Sequence, residues 1–332
     1  MHLPFGVIDH LDRQSLPIHK TYDSRLALIV RYDQAGFHGF HLTEHHFTPL
    51  GLAPSPHVFL AAAARLTSRI RLIPLVLVLP LHNPLRVAEE ISMLDHLSHG
   101  RYEFATGRGI SPYELAFYGV SHLESPHIHR EGLEVVMAAL TRDTVDYQGH
   151  YFRYFNVPIE LRPLQSPHPP MWYATSSTQG AEWAAAHGYN MAFLQSAERV
   201  RLLTDRFRRT WEKREAAAPL PKLGLARHIF VGQTDGEAVE RGNFGFAGWY
   251  EKFAHLWARN DPRPAPRDDG GRRAASLIAG TPDTVAAEIA RQVDESGTNY
   301  FITRFAYGDL SHEDSMRSLE LFISEVAPRF RA

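Results

Sequence analysis

The 332-residue chain contains no cysteine. Disulfides, thiolate metal sites and a cysteine nucleophile are excluded together, and the absence suits a reducing compartment, so a cytoplasmic location is expected. Long apolar runs are also missing. The longest, residues 73–81, is interrupted by Pro74 and Pro80 and falls far short of the roughly 20 residues that a membrane-spanning helix needs. The opening Met1-His2-Leu3-Pro4-Phe5-Gly6 has neither the basic nor the apolar region of a signal peptide. Neither charge sign dominates: 35 Lys and Arg against 37 Asp and Glu give a net charge of −2. No basic field exists to hold nucleic acid or an anionic membrane, which leaves small-molecule chemistry as the expectation. Finally, no strand pattern is followed by Gly-x-Gly-x-x-Gly and no Gly-x-x-x-x-Gly-Lys occurs. A Rossmann dinucleotide site and a P-loop are both unsupported.

What the chain does have is a recurring strand–helix pattern, with 44% hydrophobic residues to fill a large core. Residues 3–9 read as a strand and 22–35 as a helix stopped by Gly36. Residues 37–43 read as a second strand that runs into Glu44-His45-His46-Phe47, and Ser55-Pro56 opens the next helix. Residues 71–79 are almost continuously apolar, as in a parallel strand buried on both faces. Asn83-Pro84 then caps a helix with Leu85, Ala88, Ile91, Leu94 and Leu97 on one face and Gly100 after its end. A fourth strand, 101–106, ends in Gly107-Arg108-Gly109, and a helix follows at 130–140. From about 146 to 170, aromatic residues and five prolines predict a hairpin-like insertion with an extended connection.

The repeat then resumes with a strand at 171–175, a helix opened by Ser176-Ser177 and closed by Gly188, and a strand at 190–194. A helix carrying Val200, Leu203, Phe207 and Trp211 inward comes next, its arginines forming a solvated face, and then a strand at 223–231. A helix from Asp235 is expected to be interrupted at glycines 242, 245 and 248, and residues 261–275 to form a mobile loop. Thr281-Pro282 caps another helix, 298–305 is an eighth strand, and 311–326 is a closing helix. Eight such units predict an α/β chain forming one (β/α)8 TIM barrel over residues 1–332, with its active site on the loops at the carboxyl ends of the strands.

Four of those ends carry candidate chemistry: Glu44-His45-His46, the run 74–80, Gly107-Arg108-Gly109, and Ser176-Ser177-Thr178. Three hydroxyls at a helix N-terminus could hold a phosphate or could simply cap the helix. Arg108 between two glycines could reach a ligand's phosphate or carbonyl groups, or lie in a surface turn. Among the 20 histidines, His41, His45, His46, His127 and His129 could furnish metal ligands. Metal-dependent hydrolases on this barrel carry His-x-His at the end of strand one, where this chain has Val7-Ile8-Asp9-His10, so no metal is expected. His45 reads as an acid/base or as a hydrogen-bonded strand-end histidine, and Glu44 as structural.

Glu44-His45-His46-Phe47, the run 74–80 with Asn83-Pro84-Leu85-Arg86-Val87-Ala88-Glu89-Glu90, Leu94-Asp95 before Gly100-Arg101, Gly107-Arg108-Gly109, Glu182-Trp183-Ala184-Ala185 and Gly280-Thr281-Pro282 together resemble the bacterial luciferase-like flavin monooxygenases, in order, over residues 3–330. The resemblance implies a homodimeric barrel that binds reduced FMN, supplied by a separate NAD(P)H-dependent flavin reductase. With O2 it would oxygenate a small organic substrate. By resemblance, His45 matches the catalytic histidine and Leu75-Val76 a non-proline cis peptide against which the flavin rests. Arg108 matches a residue near the flavin's phosphate and pyrimidine side, Ser176 and Ser177, followed by Thr178, the phosphate-binding turn, and 261–275 a mobile lid. Luciferase α-chains carry a cysteine at the place of Gly107 and a glutamate at that of Ser176, so light emission is not expected. Two alternatives share the barrel: a deazaflavin-dependent oxidoreductase and a non-catalytic flavin-binding subunit. Loop aromatics at 113–118 suggest a partly apolar substrate.

Overall fold

The computed structural model describes residues 2–214, 218–260 and 276–331. Its elements in chain order are β1 (Phe5–Asp9), α1 (Ile18–Ala35), β2 (Gly39–Leu42), α2 (Pro56–Leu66), β3 (Arg71–Pro74), β4 (Leu77–Val78), α3 (Pro84–Leu97), β5 (Phe104–Gly107), α4 (Pro112–Phe117) and α5 (Ser125–Thr141). There follow β6 (Thr144–Gln148), β7 (Arg153–Pro158), β8 (Met171–Tyr173), α6 (Thr178–His187), β9 (Asn190–Phe193), α7 (Ala197–Trp211) and β10 (Leu223–Val231). The remainder comprises α8 (Asp235–Asn260), β11 (Leu277–Gly280), α9 (Pro282–Ser296), β12 (Tyr300–Arg304) and α10 (His312–Leu321).

The main sheet runs β3-β2-β1-β12-β10-β9-β8-β5-β4, and its paired neighbours are parallel. β3 and β4 are two halves of one strand. The first half pairs with β2, the second with β5, and a parallel bridge from Leu72 to Tyr102 brings the two ends of the sheet together. The result is the expected (β/α)8 barrel. β10 shows why the pattern was readable: all nine of its residues are buried, as a strand covered on both faces requires. β11 pairs with β10 outside the main path, and β6 and β7 form an antiparallel hairpin within the expected insertion.

Side chains inside the barrel set where its cavity can lie. Trp172, Tyr300 and His41 are fully buried and pack ring against ring. Ala105, Ala192 and Ala226 share the same interior cluster, and such small side chains leave room that large ones would fill. No helix among the described residues is long and apolar enough to cross a membrane.

Several local expectations change. The strand expected at 71–79 breaks at Leu75-Val76 and ends in a short 3-10 turn at Leu79–Leu81; the residues remain apolar through the break, so hydropathy carries no trace of it. α8 is continuous for 26 residues. Its glycines are sites of close packing instead: a Cβ on Gly245 would lie 2.6 Å from Leu310 Cγ, and one on Gly248 2.2 Å from Asp309 Oδ2. Ser55 occupies the N-cap of α2, but its hydroxyl makes no capping bond, whereas Asn83 accepts from the amides of Leu85 and Arg86. The closing helix is α10 followed by one π turn and one 3-10 turn. The lid expected at 261–275 lies outside the described residues.

Candidate active site

A cavity of about 1020 Å³ opens at the carboxyl ends of the strands. His45, Leu75, Val76, Arg108 and Ser176 all line it, whereas Ser177 and Thr178 do not. Five of the seven residues expected at the site therefore converge on one space, although up to 131 positions of sequence separate them (176 minus 45).

Beyond β2 the chain passes Glu44, whose carboxylate is buried. It accepts hydrogen bonds from His46 Nε2 at 2.7 Å, His82 Nε2 at 2.8 Å and the Val78 amide at 2.8 Å. Burial alone would raise its pKa, but those donors outweigh burial and bring it to about 2. The amide it satisfies belongs to the strand half beyond the break, so Glu44 is a structural tie, as the sequence suggests. His46 is spoken for on both sides: with Nε2 donating to Glu44, its Nδ1 accepts from the Tyr118 hydroxyl at 3.0 Å.

His45 is different. Its Nδ1 lies 3.2 Å from Glu114 Oε1, and because an ionised carboxylate only accepts, the neutral ring carries its proton on Nδ1. Nε2 has no hydrogen-bond partner among the described residues and belongs to a side chain that lines the cavity. Glu114 sits on α4, is buried, and accepts from the His46 amide at 2.9 Å with its other oxygen. The His10 ring stacks on His45 at 5.4 Å between centroids. Burial, then the charge of Arg304, hold His10 well below the usual histidine pKa, so it is neutral.

The cavity floor is Leu75-Val76, whose peptide bond is cis. Gly107 abuts it so closely that a Cβ there would stand 2.4 Å from Val76 Cγ2. On the rim, Arg108 and Arg130 are exposed, and neither forms an ion pair with a described residue. At the start of α6, Ser177 is the N-cap: its Oγ accepts from the Gly180 amide at 3.1 Å and lies 3.2 Å from the Thr175 hydroxyl. Of the hydroxyl residues at this helix start, Thr175 and Ser176 line the cavity.

Two more of the histidines weighed as metal ligands, His41 and His129, have hydrogen-bond partners. His41 Nε2 lies 3.0 Å from the Tyr300 hydroxyl, and His129 Nε2 lies 3.0 Å from Thr106 Oγ1, with burial pushing His129 down to about 4. Among the described residues no group of three or more His, Asp or Glu side chains is arranged to hold a metal ion.

Residues 3–300 match the signature of the Luciferase-like monooxygenase family. The chain belongs to that family. It is 38% identical to the y4wF protein of Sinorhizobium fredii, over 98% of this chain and 97% of the relative. Its fold is similar to that of the monooxygenase RslO1 of Streptomyces bottropensis, with a TM-score of 0.88 and 25% identity over 99% of this chain and 100% of the other. It is also similar to the oxygenating constituent of 3,6-diketocamphane monooxygenase of Pseudomonas putida, solved with FMN, with a TM-score of 0.80 and 19% identity over 99% of each chain. As a luciferase-like monooxygenase, the chain also lines its cavity with residues that its motifs did not announce: His10 after β1, Glu114 on α4, Arg130 on α5 and Thr175 after β8. Only Glu114 had a readable signal, since Ser111-Pro112-Tyr113-Glu114 has the Ser-x-x-Glu form of a helix start.

Proposed function

We propose that this protein is the oxygenase component of a two-component system, using reduced FMN from an NAD(P)H-dependent flavin reductase, and O2, to oxygenate a small organic substrate as a homodimer. The observation that carries the reading is the pairing of Glu114 with His45. It leaves His45 Nε2 as the proton-transfer atom on a cavity that also contains the Leu75-Val76 floor.

The residues present fit a flavin. Leu75 and Val76 offer an apolar surface for a flat ring, and Gly107 lacks the side chain that would push Val76 out of place. Arg108 and Arg130 supply guanidinium groups that form no ion pair with a described residue, and Thr175 and Ser176 hydroxyls, for a phosphate near the N-terminus of α6. Ser177 and Thr178 contribute through the helix start rather than through cavity-facing side chains. When bound, reduced FMN would supply the two electrons with which one oxygen atom of O2 enters the substrate and the other leaves as water. His45 would take or give a proton at Nε2 while Glu114 keeps Nδ1 protonated and the ring fixed. Neutral His10 packs one face of that ring and excludes water from it.

Anaerobic titration with reduced FMN, alongside reduced deazaflavin, tests the reading. FMN binding on the order of micromolar, with faster reoxidation by air in the presence of protein and substrate, is the expected result. No FMN binding at tens of micromolar, or preferential binding of deazaflavin, would overturn it.

A further inference from the structure

A second cavity of about 450 Å³ adjoins the first and shares Ile8, His10, Leu194 and Phe253 with it. Its remaining wall includes Ala226, Trp249, His228 and Arg304. Among the described residues, three buried nitrogens on that wall have no hydrogen-bond partner: Arg304 Nε, Trp249 Nε1 and His10 Nδ1. Arg304 Nε and Trp249 Nε1 are obligatory N–H donors, and buried N–H groups are nearly always paired, so two left open around one small space point to a missing acceptor.

Arg304 sets the chemistry of that acceptor. The side chain is buried, with the residue 2% exposed. Its Nη1 donates to His228 Nε2 at 2.8 Å, while His228 Nδ1 donates to the Ser276 carbonyl at 3.3 Å. That use of Nη1 leaves the Nε–Nη2 edge, the side of the fork that grips a carboxylate with two parallel bonds. No carboxylate among the described residues forms an ion pair with Arg304. Asp9 and Asp12 attract it from a distance but are held by Arg25, at 3.1 and 3.2 Å. Neighbouring Arg227 cannot take its place, because its nitrogens donate to Gln292 and to the carbonyls of Ala226 and Gln195. Burial brings Arg304 down to about 10, which leaves it charged near neutrality. Burial, followed by the charge of Arg304, holds His10 and His228 far below the usual histidine range, so both are neutral. Arg304 is thus a buried cation that lies over the Trp249 ring, 5.4 Å from its centre, with no carboxylate paired to it among the described residues, an arrangement that is costly until an anion arrives.

We propose that this chamber receives the carboxylate of the substrate, which makes the substrate class a small, largely apolar carboxylic acid. The acid group lies against the Nε–Nη2 edge of Arg304 and accepts a further bond from Trp249 Nε1. The hydrocarbon part extends past His10 toward His45. The identification of the acid as substrate rests on the monooxygenase reading; the binding itself does not.

Calorimetric titration of the full chain with cyclohexanecarboxylate and with its neutral isostere cyclohexanecarboxamide tests this, with an FMN titration of each protein run in parallel. Wild type should bind the carboxylate at least about tenfold more tightly than the amide. Arg304→Gln should erase that preference while FMN affinity stays within about threefold. Ala226→Leu leaves every charge in place and fills the chamber, and it should weaken the carboxylate without weakening FMN, which keeps the test decisive if Arg304→Gln does not fold. Equal binding of acid and amide, or a preference that survives both variants, would overturn the inference. FMN binding without carboxylate preference rejects the chamber alone. Carboxylate preference without FMN binding rejects the flavin reading and leaves the anion site standing.

Discussion

Replacing Glu44 by Gln removes a charge while keeping the shape of the side chain, and its consequence can be worked through in pH as well as in energy. The wild-type carboxylate takes three N–H donors, two histidines on one oxygen and the Val78 amide on the other. The amide of Gln can keep an oxygen on the Val78 amide only by turning its NH2 toward the histidines, which must then give up their Nε2 protons and switch tautomer. Glu44 falls from 4.5 to about 2 on folding, and at ~1.4 kcal/mol per pH unit this is worth ~3 kcal/mol. Since the folded pKa lies below the unfolded one, that stability is complete above pH 4.5 and is lost as the pH falls from there toward 2. His82 runs the other way. Although burial lowers its pKa, Glu44 raises it above 6.5 in balance, so its share is complete below pH 6.5 and declines as the pH rises through the folded value. The wild type should therefore exceed Glu44→Gln most between pH 4.5 and 6.5. With ~2.1 cal/mol/K per residue of unfolding entropy over 332 residues, a loss of ~3 kcal/mol lowers Tm by about 4 °C. Differential scanning calorimetry of both proteins from about pH 3 to pH 8 measures this directly. A Tm difference that stays flat across the range, or that grows in acid, would refute the reasoning.

Four further outcomes follow from the site. His45→Ala should retain FMN affinity within about threefold while substrate-dependent oxygen consumption falls about 10²- to 10⁴-fold, the range of a lost general acid or base; Glu114→Gln should lower the same rate with less effect, and equal FMN affinity should accompany it. Gly107→Ala places a methyl 2.4 Å from Val76 Cγ2, so calorimetry should show a loss of ~1–3 kcal/mol from overpacking, with weaker FMN binding as Val76 moves. Arg108→Gln should weaken FMN by about tenfold and riboflavin far less, as measured by flavin fluorescence, because a charge-assisted bond to phosphate is worth ~1.5–3 kcal/mol.

The barrel was legible because its signals are local. The nine buried residues of β10, the Asn83 cap of α3 and the left-handed glycines at 36 and 188 each act within a few positions. The convergence of His45, Leu75, Val76, Arg108 and Ser176 was readable through motif order. What escaped depends on partners far away in sequence. Glu114 meets His45 across 69 positions and Arg304 meets His228 across 76. In isolation, Glu114 reads only as the acidic residue of a helix start, with nothing to aim it at His45, and Arg304 is the polar end of a strand. The strand break at Leu75-Val76 is silent in hydropathy, and the glycines of α8 read as helix breakers because composition does not say what lies against them.

With the smaller chamber proposed as the carboxylate site, the close packing of α8 bears on the size of substrate it would take. A Cβ on Gly308 would meet the Gly245 carbonyl oxygen at 1.8 Å and the Trp249 amide nitrogen at 2.7 Å, so main chain lies directly on main chain where α8 crosses the loop after β12. The same segment of α8 presents Trp249 and Phe253 to the smaller chamber. The two glycines thus act as a depth gauge: the distance at which helix and loop meet determines how far the indole reaches inward. Bulk added at Gly245 would lift the helix and deepen the chamber without altering a single residue of its lining, so selection for a longer or shorter substrate could act on a position that no inspection of the binding surface would single out.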